Sequence, residues 1–204
     1  LDGPGAQFLR SQIAGARFVL LGEDHGSAGV ADFASALWRD LARDGFGHVA
    51  IETDPWMARY AEREVRRGGA AGLGAALQAG PGAIALPFYG WDAEAAFLET
   101  VLATAPVRHS ATLWGLDQVF IGSGTLLLQD IARGARAPAA RQLAAELVPL
   151  ARDRNFLVGP QRPQLAALAA ELGRGESALR ERITAMQQSG EIYRAFTTGD
   201  REAW

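Results

Sequence analysis

An α/β fold is what this chain of 204 residues predicts: a parallel β-α-β core over residues 1–121, with an all-helical subdomain, appended or inserted, over residues 122–204. Three observations lead there. Short apolar runs at Phe18–Leu21, His48–Ile51 and Thr112–Leu116 have strand length and are separated by segments of helical periodicity. Each run leads into acidic residues: Glu23-Asp24-His25, Glu52 and Asp117. After Leu116 no strand pattern recurs, and the rest of the chain alternates helical runs with Gly or Pro.

Taken in order, residues from about 6 to 14 have helical spacing and stop at Gly15 before the first expected strand, Phe18–Leu21. Phe33, Ala34, Leu37, Trp38 and Leu41 then share one helix face within Val30–Arg43, which Asp44-Gly45 ends. His48–Ile51 is the second expected strand, and Pro55 stands at a first helical position of a charged helix reaching Arg67. A strand, a helix of about 14 residues and another strand form the unit that joins parallel neighbours. Gly and Ala dominate Gly68–Tyr89, which reads as a loose helix around Ala70–Gln78 and then a loop delivering Phe88, Tyr89 and Trp91. Asp92–Thr104 is the helix before the third expected strand, Thr112–Leu116. Helical patterns follow at Leu126–Arg133, Ala139–Arg152, Pro163–Leu172 and Ser177–Gln188.

Composition narrows the function. A hydrophobic content of 49% is ample for a core, and a formal charge of −3 with no basic stripe argues against nucleic acid as a partner. Without cysteine, a metal would have to be held by oxygen and imidazole. No run approaches the roughly 18 apolar residues that span a bilayer. The expectation is a soluble cytoplasmic or periplasmic protein acting on a small-molecule substrate. Because the chain opens at Leu1 rather than at a methionine and stops at Trp204 inside a Thr-Gly-Asp-Arg-Glu-Ala-Trp segment, it is expected to be part of a longer protein.

Strand ends in an open parallel sheet are where ligands bind. Side chains alternate along an extended chain, so Glu23 and His25 are expected to share a side, opposite Asp24. A carboxylate beside an imidazole fixes its tautomer and raises its basicity, which suits His25 to take a proton from water. Asp54, before Pro55, is the better helix cap, leaving Glu52 without that explanation. His25 with Glu23, Glu52 and Asp117 could equally bind a divalent cation. Phe88, Tyr89 and Trp91, next to Asp92 and Glu94, are expected to line the mouth, with Asp24, Trp91, Glu94 and Asp117 as substrate-binding or supporting residues. His48 and His109 lie in poorer positions, and Gly122-Ser123-Gly124 reads as a helix start rather than a phosphate loop.

The series Leu20-Leu21-Gly22-Glu23-Asp24-His25-Gly26, Gly45-Phe46 before Val49-Ala50-Ile51-Glu52, Trp91 with Glu94, and Trp114-Gly115-Leu116-Asp117 resembles the erythromycin-esterase-like group and its ChaN-like and Tiki/TraB-like relatives. The resemblance covers residues from about 16 to 120, and because the esterase-like group extends well past this length it implies that the chain is an N-terminal portion of a longer protein. It implies hydrolysis of an ester or lactone by water activated at His25, with Glu23 and Glu52 as carboxylate partners and no cofactor required. The single residue between Glu23 and His25 is closer to the ChaN-like and Tiki-like branches, which implies two alternatives: a haem- or metal-binding uptake protein, or a metal-dependent hydrolase.

Overall fold

Most of the chain carries helical periodicity, and the computed structural model, which describes residues 1–22, 24–106, 111–120, 122–153 and 155–199, folds most of it into helices. In chain order these are α1 (Gly3–Ile13), α2 (Ala28–Arg43), β1 (Val49–Ile51), α3 (Pro55–Ala79), α4 (Asp92–Thr104), β2 (Leu113–Gly115), α5 (Gly124–Gly134), α6 (Pro138–Leu147), α7 (Arg162–Glu171) and α8 (Ser177–Thr198). Glu23 and His109 lie outside the described residues.

The expected α/β class is thereby corrected. The chain is 64% helical, and the two strands are three residues each, so it is mostly helical rather than built on a parallel core. The expected first strand is not one. Phe18 is 83% and Leu20 97% exposed, and the segment pairs with neither β1 nor β2. The physical reason is that strand formation is decided by a paired edge and a covering layer rather than by apolar residues alone. Periodicity reports only the residues.

Local rules account for the helices that do form. Asp54 Oδ1 accepts the Trp56 and Met57 N–H groups at 3.0 and 2.9 Å, capping α3 ahead of Pro55. Gly68 and Gly69 leave helical geometry, so α3 is two helices meeting at a kink, the second of which is the helix expected around Ala70–Gln78. Ser123 is the N-cap position of α5, as expected for the Gly122-Ser123-Gly124 turn.

Apolar side chains gather in two clusters. The first joins Trp38 of α2, Met57, Leu73 and Leu77 of α3, Leu98 of α4 and Leu113 of β2. The second joins Leu128 and Ile131 of α5, Leu147 of α6, Leu165 of α7, and Ile183 and Met186 of α8, with Phe156. Trp56 crosses between them: it packs on the second cluster, with the Arg182 guanidinium 5.8 Å above its ring.

β1 and β2 pair in parallel, Val49 against Leu113, Ala50 against Trp114 and Ile51 against Gly115. Ile51 and Leu113 face the first cluster, while Ala50 and Trp114 face outward. The pair is anchored at its start by the buried Glu62 on α3. Its Oε2 accepts the Thr112 and Leu113 N–H groups at 2.9 and 3.0 Å, and its Oε1 accepts Arg66. A carboxylate is suited to this place because it alone takes two backbone donors and a guanidinium at once.

Replacing Glu62 by Ala strands two buried N–H groups. The expected loss is about 2 to 4 kcal/mol of stability, read as a lower urea midpoint with an unchanged slope.

Candidate active site

β1 and β2 end side by side, and the ladder continues past them. Leu116 N–H donates to Ile51 O at 3.2 Å and Asp117 N–H to Thr53 O at 3.0 Å. Gly115 sits under this crossing, where a Cβ would overlap the Thr53–Asp54 backbone. Glu52 and Asp117 therefore leave the same end of the sheet, as their places after apolar runs predict.

Onto that end comes the turn before α2, where Ser27 N–H donates to Asp24 O at 3.2 Å. Gly26 holds φ +80°, a conformation costly for other residues, and a Cβ added to it would lie 3.3 Å from the Trp91 ring. The turn brings His25 Nε2 to 3.7 Å from Glu52 Oε2. That is ion-pair range, longer than a hydrogen bond, and spacing of this kind tightens in catalytic complexes. Both side chains reach solvent, His25 at 35% and Glu52 at 55% exposure.

The imidazole is also held from its face. Phe88 stacks on His25 with centroids 3.6 Å apart and planes 6° from parallel. Phe88 in turn meets the edges of Trp91 and Phe120 at 6.1 and 6.5 Å, and Phe120 meets Tyr193 of α8 at 6.5 Å. Edge contacts of this kind suit the ring quadrupole.

Among the predicted residues, then, His25, Glu52 and Trp91 come together around Phe88. Asp24 is exposed in the turn and Glu94 is half-buried in the first turn of α4. Asp117 turns away from the pair. Its Oδ1 accepts the Gln118 N–H at 2.7 Å, and its charge bears on Tyr193. Among the described residues no three His, Asp or Glu side chains are grouped to hold a metal ion. Glu23, the remaining member of the expected set, is outside them. His48, at the far end of β1, bonds the Ala111 carbonyl at 3.0 Å and packs on Trp114. Sequence reasoning placed Phe88 at the mouth but not on His25. Nothing in the residue types shows a face-to-face contact formed across 63 positions of chain.

A second polar group lies beneath Asp117. Asp54 is fully buried, and burial pushes its carboxyl pKa up against the opposing hydrogen bonds from Met57, Ser123, Trp56 and Phe120. The Ser123 hydroxyl donates to Ala85 O at 3.1 Å. Oδ2 of Asp54 has no protein partner in good geometry, and neither do Thr53 Oγ1, Gln118 Oε1 or Thr125 Oγ1. Burial, with the Asp117 charge second, lifts the nearby Tyr193 hydroxyl to about 12, against its hydrogen bond with Gln118. Tyr193 thus stays a neutral phenol.

No family model, no curated protein and no solved structure matches this chain.

Because the folded-state pKa of Asp54 is raised, its ionisation opposes folding. Its contribution is most favourable below the unfolded value near 3.8 and is lost as pH rises through the folded value. Asp54→Asn keeps a capping oxygen without a charge. The variant is expected to be more stable than the parent at pH 7, with the difference shrinking toward pH 4, as measured by thermal unfolding across that range.

Proposed function

We propose that this chain is a hydrolase of small esters or lactones, with His25 as general base and Glu52 as its carboxylate partner. The observation that carries the reading is the 3.7 Å approach of His25 to Glu52, made by an imidazole stacked on Phe88 at a solvent-accessible end of the β1–β2 pair. The resemblance of residues 16–120 to the erythromycin-esterase-like group supports the same reaction class.

In this reaction the neutral imidazole takes a proton from water as the water oxygen adds to the ester carbonyl carbon. The tetrahedral intermediate then expels the alkoxide, which takes the proton back from the imidazolium, leaving acid and alcohol. Glu52 acts while the imidazolium exists: its charge faces the ring and lowers the energy of the protonated form. Trp91, exposed beside Gly26, offers an aromatic face to the part of the substrate that does not react. Nothing in this sequence of steps calls on a metal.

Turnover of a panel of aryl esters and lactones by protein treated with EDTA tests the reading. His25→Ala is expected to lose about 10²- to 10⁴-fold in kcat. Glu52→Gln is expected to lose about fivefold, the worth of an exposed ion pair near 1 kcal/mol. An unchanged rate in the His25 variant, or activity abolished by EDTA and restored by a divalent cation, would overturn the metal-free mechanism.

A further inference from the structure

Phe88 is the one described residue other than glycine with a positive φ, +70°. A bulky side chain rarely adopts this conformation, because its Cβ crowds the backbone. The Tyr89 N–H donates to Pro87 O at 2.8 Å, two residues back, so Phe88 is the centre of a γ-turn of the strained, positive-φ kind. Strain of this sort persists only where surrounding contacts hold it, and it concentrates at functional sites.

The turn sends two consecutive side chains to two different elements. Phe88 lays its face on His25, with its edges fixed by Trp91 and Phe120. Tyr89 is buried in the first apolar cluster, and its hydroxyl accepts the Glu52 N–H at 3.4 Å. The two partners of the ion pair come from separate segments, the turn before α2 and the end of β1, and no strand joins those segments. We propose that Phe88 and Tyr89 are positioning residues that set the spacing between His25 and Glu52: the first holds the imidazole plane and the second holds the backbone from which the carboxylate projects. The proposal rests on the reading of His25 and Glu52 as the catalytic pair, but the placement of the imidazole can be read without catalysis.

The imidazole proton signals of His25, assigned by their loss in His25→Ala, provide that reading. Stacking at 3.6 Å shields them, so they are expected upfield in the parent protein. They are expected to move downfield in Phe88→Leu and in Phe88→Gly. The glycine variant adopts the positive φ without strain and so keeps the turn while losing the ring. Phe88→Tyr retains the stack and is expected to keep the shift. In ester turnover Phe88→Leu should lower kcat by about 10- to 100-fold with KM little changed, and Phe88→Tyr should restore it. Tyr89→Phe should lower kcat without moving the His25 signals.

Signals unmoved in both Phe88→Leu and Phe88→Gly would overturn the clamp. So would a kcat indifferent to both Phe88→Leu and Tyr89→Phe in a protein whose His25→Ala variant is inactive. Shielded signals that Phe88→Leu releases, in a parent protein that hydrolyses no ester, would support the hold on the imidazole and overturn the reaction assigned to it.

Discussion

The ladder that runs from Val49 against Leu113 to Thr53 against Asp117 is the constraint from which the site follows. It is short, yet it is fixed at both ends. Glu62 ties down the N–H groups where β2 begins, and Gly115 admits the Thr53–Asp54 backbone where the pair ends. Asp54 then starts α3 directly above the crossing. The two backbone donors and the guanidinium on Glu62 offset the cost of taking its carboxylate out of water. Asp54 is less well satisfied: its Oδ1 caps α3, while its Oδ2 has no partner in good geometry. Burial opposes the ionisation of Asp54, and the fold gains when that charge is absent.

Glu52 and Asp117 have different partners although both follow apolar runs. Glu52 leaves the ladder with its side chain exposed and meets the His25 turn. Asp117 is pulled into its own turn by the Gln118 N–H and lies by Tyr193. The aromatic series from His25 through Phe88 and Phe120 to Tyr193 connects the two places, joining the end of β1 to α8. The two phenylalanine rings in the middle of the series pack the junction without adding donors or acceptors that would need partners.

Much of this was legible from residue types, and the failures have a common cause. Capping by Asp54, the start of α5 at Gly122-Ser123-Gly124 and the helices at Asp92–Thr104 and Ser177 onward depend on local chemistry, which the sequence carries. His25 and Glu52 were both singled out by residue type, but the expected route to their approach, a strand ending at His25, does not form; a turn before α2 brings them to 3.7 Å instead. The α/β class was not, because Phe18–Leu21 has the composition of a strand but no paired edge, and an edge is a property of the folded chain. The stack of Phe88 on His25 was hidden for the same reason, and the positive φ at Phe88 runs against residue preference.

A double-mutant cycle on His25 and Glu52, scored by kcat/KM on the best ester found, addresses the pairing itself. If the carboxylate acts only through the imidazolium, Glu52→Gln costs turnover in the parent protein and nothing in a His25→Ala background. Equal costs in both backgrounds would show that the two side chains work independently, and the account of a coupled pair would be wrong.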